Sequence, residues 1–155
     1  MILPEPAVEE AQNNVVSVLI VDDHDGVRAA LRDWIAASCA GVRMHEARDG
    51  EEALRLVERA AVDVVLMDIG LPGINGIEAT RMLRQRSPAI AVVVISVHDG
   101  EAQRAAAVAA GAAAFVAKRR MYEELAPVLK PLLEVRLRRA RAAGAPDRRS
   151  ANNGA

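Results

Sequence analysis

Between residues 15 and 118, short β-branched runs alternate with longer stretches in which apolar residues recur every three or four positions. That alternation predicts a parallel sheet with crossover helices. The predicted strands are VVSVLIV (15–21), VRMHEA (42–47), VDVVLM (62–67), AVVVI (91–95) and AAFVA (113–117). The first, third and fourth are nearly continuous apolar runs, as expected of central strands covered by helices on both faces. Val27, Leu31, Trp34 and Ile35 mark one face of a first helix; Ala53, Leu54 and Val57 mark one face of a second. Leu-Pro-Gly-Ile-Asn-Gly at 71–76 carries turn chemistry, after which a third helix runs to about Ser87, ahead of Pro88. A fourth, almost all Ala, follows Asp99-Gly100. Right-handed crossovers and short loops favour an α/β fold with a doubly wound, five-stranded parallel sheet of order 2-1-3-4-5.

Residues 119–141 predict a fifth helix, with Leu125, Val128, Leu129, Leu132 and Leu133 as its apolar stripe and Pro127 and Pro131 inside it. A proline in a helix interior removes a backbone donor and costs about 3 kcal/mol, so a kink or an uneven helix is expected. The chain then divides into an N-terminal segment at 1–14, expected to be disordered, a folded domain at 15–135, and a basic helix end with a tail at 136–155. From Gly144 onward apolar residues are too few to pack, and disorder is expected there too.

A length of 155 residues suits one core of ordinary size. Apolar residues make up 52%, yet Trp34, Phe115 and Tyr122 are the only aromatics, so Ala, Val, Leu and Ile must build that core. The net charge of −1 conceals an asymmetry: residues 1–118 carry 11 basic and 17 acidic groups, and residues 119–155 carry 9 and 4. A lone Cys39 excludes an intramolecular disulfide and, with no paired His spacing, a thiolate zinc site. The first fourteen residues lack the basic start and apolar run of a secretory signal, and no long apolar run follows. A soluble, cytoplasmic protein is the expectation.

Chemistry gathers at the strand ends. Asp22 and Asp23 close the first predicted strand, Asp68 the third, Ser96 the fourth and Lys118 the fifth. In an open parallel sheet the C-terminal edge holds the ligand crevice, so residues almost a hundred positions apart converge there. Two carboxylates about 4 Å apart repel by roughly 4 kcal/mol at an effective dielectric near 20, and a third makes full ionisation harder. Something positive must sit among them. Oxygen-only ligands suit Mg²⁺ far better than zinc or copper, and Lys118 adds a second positive charge. Taken singly, each aspartate is as well explained as a helix N-cap. Their joint placement with Ser96 and Lys118 is not.

These segments resemble the CheY-like, flavodoxin-like receiver domains of response regulators over about residues 15–135. LIVDDHDGVR is similar to the acidic-pair segment, VVLMDIGLPGINGIEA to the phosphoacceptor segment, VVVISVHD to the hydroxyl segment and GAAAFVAK to the lysine segment. The detail is closest to the NarL/FixJ-type subgroup. The resemblance implies that Asp68 takes a phosphoryl group from a phosphohistidine of a histidine kinase or histidine phosphotransfer protein. It further implies that Asp23, Asp68 and the Gly70 carbonyl ligate Mg²⁺ directly, with Asp22 acting through water. Lys118 and Ser96 would hold phosphoryl oxygens, and Phe115 would be the switch aromatic, although core packing alone also explains a strand Phe. A phosphoacceptor of this kind is not an enzyme beyond weak self-phosphorylation and autodephosphorylation.

The pattern has departures. Arg119 stands where many receivers have proline, which makes a cis peptide doubtful; Val97 is larger than usual and narrows access; Gly70 and His98 flank the site. His24, His45 and His98 are isolated histidines and weak signals for ligation or catalysis. Only 37 residues follow Lys118, so the subgroup's helix-turn-helix is not expected, nor is nucleic-acid or membrane binding. Arg136, Arg138, Arg139 and Arg141 read as a solvated helix end. A stand-alone receiver is therefore expected, with output to a protein partner or a second copy through the fourth helix, fifth strand and fifth helix. DHDGV at 23–27 also resembles the nucleophile motif of haloacid-dehalogenase-type phosphatases, with Asp23 as nucleophile. That alternative needs a later acidic pair, for which only Glu123 and Glu124 are available, and it leaves Asp68 idle.

Overall fold

The computed structural model describes residues 15–144. Strands β1 (Val16–Val21), β2 (Val42–Ala47), β3 (Val64–Asp68), β4 (Ala91–Ser96) and β5 (Ala114–Ala117) form one sheet of order β2-β1-β3-β4-β5. Every pairing is parallel. Helices α1 (Asp25–Ser38), α2 (Gly50–Arg59), α3 (Gly76–Arg86), α4 (Glu101–Ala109) and α5 (Met121–Gly144) alternate with the strands, and a 3₁₀ turn at Lys118–Arg120 leads into α5. The predicted strands, helices and order are all present. The strand boundaries shift by a residue or two, β3 starting at Val64 and ending on Asp68 and β4 ending on Ser96, and the last helix runs three residues further than expected.

Alternation along the central strands feeds two cores. Leu19, Val21, Val65, Met67, Val92 and Val94 face α2, α3 and α4, where Ala53, Leu54, Ala79, Leu83 and Ala107 meet them. Val18, Ile20, Val64, Leu66, Val93 and Ile95 face α1 and α5, where Leu31, Ile35, Leu125, Leu129 and Leu133 pack. Strands β1, β3 and β4 are buried at every position, which is why they read as unbroken apolar runs. Edge strand β2 is only partly covered.

Helix α5 continues through Pro127 and Pro131 rather than ending at either. Both prolines are exposed and lie four residues apart, on one solvent-facing stripe. The carbonyls that lose a donor there, Glu123 and Pro127, can be served by water, while Leu125, Leu129 and Leu133 on the other side hold the helix to the sheet. Further along, Leu137 packs on the same core. Arg136 is half-buried rather than solvated as expected, donating to the Asp63 and Ala89 carbonyls at 3.0 Å each. The expected disorder of residues 1–14 and of the far tail lies outside the described residues.

Candidate functional site

Strand register sets the site. Val21 pairs with Met67, so Asp22 and Asp68 leave adjacent strands side by side; Ser96 pairs with Ala117, so Lys118 starts beside Ser96. Asp22, Asp68 and Ser96 are buried, at 2%, 5% and 2% exposure, whereas Asp23 stands at the mouth. The Lys118 ammonium lies 2.8 Å from Asp22 Oδ2 and 3.2 Å from Asp68 Oδ2, across 96 and 50 residues of sequence. Gly70 offers its N–H to Asp68 Oδ1 at a long 3.4 Å. The convergence expected at the C-terminal edge is present.

Capping does not explain these aspartates. The N-cap of α1 is His24, with no side-chain cap bond, and the N-cap of α3 is Asn75, which accepts from the Glu78 N–H at 2.9 Å. Asp22 Oδ1 instead accepts the His24 N–H at 2.9 Å, so its carboxylate is folded back toward Lys118 and the loop.

Burial holds the Asp68 carboxyl above its ordinary range; Lys118 opposes this, the Asp22 charge adds to it, and the Gly70 N–H opposes it weakly. Burial alone would lower the Lys118 ammonium, but the hydrogen bond to Asp22 and the Asp68 charge outweigh it, so Lys118 is raised and stays protonated. Three carboxylates against one ammonium leave two formal negative charges, the charge one divalent cation cancels. One ligand atom from each of Asp22, Asp23, His24 and Asp68 lies within 4.8 Å of the others. Such a donor set, rich in carboxylate oxygen, fits a hard divalent ion.

Three features escaped the reading of the sequence. Arg28, buried to 7% exposure, donates to the Asp22 carbonyl at 2.7 Å, binds Asp25, and lies 3.4 Å from Glu46 Oε1 without a well-formed bond to it. It braces the acidic loop from below; its place one helical turn after His24 was the only hint. Gly76 sits so close to the Asp68 backbone that a Cβ would come 2.0 Å from the Asp68 carbonyl oxygen, and its N–H donates to the Ile69 carbonyl at 3.0 Å. The motif shows a turn there but not that close approach. Third, Asp99 receives Arg119 at 2.6 and 3.0 Å, its carbonyl accepts from Arg104 Nε at 3.2 Å, and the Arg104 guanidinium lies 4.7 Å over the half-buried Phe115 ring. The loop before α4 is thereby tied to both ends of β5.

Around the rim, Val97 is 65% exposed, and the His98 N–H donates to Ser96 Oγ at 3.0 Å. All described peptide bonds are trans, that between Lys118 and Arg119 included.

Residues 18–130 match the family model of the response regulator receiver domain. The chain belongs to that family. The receiver is 37% identical over 110 residues to the transcriptional regulatory protein DegU of Brevibacillus brevis, covering 71% of this chain and 47% of that protein. It is 36% identical over 117 residues to the response regulator UvrY of Escherichia coli K12, covering 75% and 53%. Among solved structures, a LuxR-family two-component response regulator from Aurantimonas sp. SI85-9A1 superposes with a TM-score of 0.72 at 36% identity, over 78% of this chain and 86% of that one. A CheY-like receiver domain protein from Methanospirillum hungatei JF-1 shares the fold, with a TM-score of 0.73 at 21% identity over 81% and 98%. The chain spans about half the length of the curated relatives it matches.

The receiver is thus a two-component signalling module of the CheY-like class. The dehalogenase-type alternative finds no support in this family match. Glu123 and Glu124 lie in the first turn of α5, with Glu124 turned to Arg120 at 3.7 Å, so neither completes a phosphatase site. Among the described residues no helix is long and apolar enough to cross a membrane.

Proposed function

We propose that the receiver accepts a phosphoryl group on Asp68 from a phosphohistidine of a histidine kinase or phosphotransfer protein, and signals by protein contact. The observation that carries this is the buried Asp68 carboxylate held beside Asp22 and Lys118 at the C-terminal edge of the sheet. An Asp68 oxygen attacks the phosphorus in line, a P–O bond forms as the P–N bond breaks, and the bonding pair returns to the donor imidazole, which takes up a proton. Lys118 lies where it neutralises a phosphoryl oxygen; Ser96, once its hydroxyl leaves the His98 N–H, donates to another. Asp22, Asp23 and Asp68, with the Gly70 carbonyl, would hold Mg²⁺, and the bound ion would supply charge neutralisation at the phosphoryl oxygens. Any turnover by this site is weak self-phosphorylation and autodephosphorylation.

The switch runs through the loop before α4. Turning Ser96 away from His98 disturbs the segment that Asp99 and Arg104 tie to Arg119 and Phe115, and so favours a different Phe115 rotamer. Output then emerges at α4, β5 and α5. Helix α4 buries only Ala107 within its length and presents Val108 at 70% exposure, and α5 presents Tyr122 at 59%. A protein partner or a second copy of the chain would dock there. The test is uptake of one phosphoryl mass from acetyl phosphate with Mg²⁺, read on the intact protein. Uptake is expected in the wild type and absent in Asp68→Ala and Asp23→Ala. Full labelling of Asp68→Ala overturns the assignment.

A further inference from the structure

At the opposite edge of the sheet a cavity collects positive charge. It opens between the end of α3, the start of β4, the turn before β5 and the far half of α5, with a volume of about 430 Å³. Its charged lining is Arg84, Arg136 and Arg139, with no carboxylate. Ala91 and Ser96 are the two ends of β4, so at about 3.3 Å per residue this edge lies about 17 Å from the Ser96 end. Neutral groups fix two of the guanidiniums. Arg84 Nη1 donates to the Pro88 carbonyl and, at 2.7 Å, to the Ile90 carbonyl. Gly111 lies so close to the Arg84 stem that a Cβ would come 3.1 Å from its Cγ. Arg136 donates to the Asp63 and Ala89 carbonyls at 3.0 Å each. Carbonyls hold a guanidinium in place without cancelling its charge, and its remaining N–H groups stay available. Among the described residues none of the three arginines forms an ion pair. The nearby Asp63 carboxylate instead accepts the Ser17 N–H at 2.8 Å. Burial lowers the Arg136 guanidinium from its ordinary range; the Asp63 charge opposes this, and the Arg139 and Arg84 charges add to it.

We infer that this cavity is a binding site for a small organic phosphate, separate from the phosphoryl acceptor. Three guanidiniums from two helices present donors from several directions. A phosphate has oxygens on all sides and meets them together, whereas the two oxygens of a carboxylate lie in one plane. The volume exceeds what an inorganic ion needs and falls within the range of about 300–1,000 Å³ typical of small-molecule sites. Pro88, Ile90 and Leu132 offer an apolar wall for the body of such a ligand. The donors ring a hollow rather than follow a ridge, which favours a small molecule over the backbone of a nucleic acid.

The test is calorimetric titration of the full chain with adenosine diphosphate and with pyrophosphate, in the presence of a chelator. Without divalent ions the acidic Asp22, Asp23 and Asp68 repel anions, so that edge adds no binding. The variants are Arg139→Gln and Arg138→Gln. Arg139 is exposed and makes no side-chain hydrogen bond among the described residues, so its loss leaves the fold intact. Arg138 is its exposed neighbour outside the cavity, and its replacement removes the same charge. Expected are one adenosine diphosphate per chain, affinity reduced at least fivefold in Arg139→Gln and less than twofold in Arg138→Gln, and weaker binding of pyrophosphate. In NMR spectra the nucleotide should move the amides of Ala89, Ala91, Gly111 and Ala112 and leave those of Asp22 and Asp68 in place. Equal losses in the two variants overturn the site, as do shifts confined to the Asp68 edge. Pyrophosphate binding as tightly as the nucleotide overturns the organic part of the ligand. Binding of a DNA duplex without binding of the nucleotide overturns the small-molecule reading, and absence of any binding overturns the whole inference.

Discussion

Replacing Lys118 with Met keeps most of the side-chain stem and removes only the charge that two buried aspartates share. In the native site its ammonium contacts Asp22 at 2.8 Å and Asp68 at 3.2 Å, and those residues are 2% and 5% exposed. At about 4 Å and an effective dielectric near 20, one such contact is worth roughly 4 kcal/mol before the cost of burying the ammonium is counted. That cost cancels much of the gain, and orphaning a buried charge typically destabilises by about 3–5 kcal/mol. Against a total stability of about 5–15 kcal/mol, such a loss is large. Urea unfolding in the presence of a chelator, followed by the fluorescence of Trp34 in the partly buried face of α1, should therefore show Lys118→Met weakened by about 3 kcal/mol or more at neutral pH. The sign of the pH dependence is fixed as well. The Asp68 carboxyl is raised by burial, and losing Lys118 raises it further, so the penalty in the variant is full above its folded value and gone below the ordinary value of about 3.9. Lys118 itself is raised, so its stabilising part is full below about 10.4 and lost as pH climbs through its folded value. The gap between wild type and variant should thus be widest at intermediate pH and close at both extremes, and adding Asp68→Asn should recover part of it. A gap under about 1 kcal/mol at neutral pH, or one that stays constant into acid, would refute the claim that Lys118 is the counter-charge of this pair.

Gly76→Ala should destabilise by about 1–3 kcal/mol or more and depress phosphoryl uptake, because the new Cβ meets the Asp68 carbonyl at 2.0 Å and backbone must move; thermal unfolding and intact mass check the two effects. Arg28→Met strips the Asp22 carbonyl of its buried donor, so a loss of about 1–3 kcal/mol is expected, together with weaker divalent binding by titration calorimetry. Arg104→Ala removes the guanidinium above Phe115, worth about 0.5–1 kcal/mol at an exposed site, and should broaden the ring's rotamer populations in NMR spectra before any phosphorylation. In the wild type those ring signals should move on adding a phosphoryl mimic; identical spectra with and without it would remove Phe115 from the switch.

Most of the fold was legible because the central strands are buried on both faces. Burial on both faces accounts for VVSVLIV, VDVVLM and AVVVI at such spacing, and the order 2-1-3-4-5 agrees with right-handed crossovers. The site was legible for the same reason: Asp22, Asp68, Ser96 and Lys118 each terminate a strand, and parallel pairing puts those ends on one edge. What stayed hidden depends on tertiary neighbours. Pro127 and Pro131 looked like breakers because propensity is local, whereas the far side of α5 is held by three buried leucines. Arg136 looked solvated because a basic run carries no sign of the Asp63 and Ala89 carbonyls waiting across the sheet. His24 looked isolated in sequence; only the fold of the loop turns its ring onto two carboxylates.

The charges also indicate why a signal from this site would travel toward α4 rather than toward α1. On the proposed chemistry a cation balances the two surplus negatives, and a phosphoryl group of about −2 then replaces one aspartate charge, leaving the site negative by about one. On the α1 side Arg28 is held by the Asp22 carbonyl and the Asp25 carboxylate beneath the loop, with Glu46 Oε1 3.4 Å from its Nε. Lys118 is fixed between its two aspartates at the start of the turn into α5. At the end of β4 the Ser96 hydroxyl is, among the described residues, a donor without an acceptor, its one partner being the His98 N–H. New negative charge therefore draws on a group that anchors the loop before α4, and the same loop carries the Asp99 ties to Arg104, which lies over Phe115, and to Arg119.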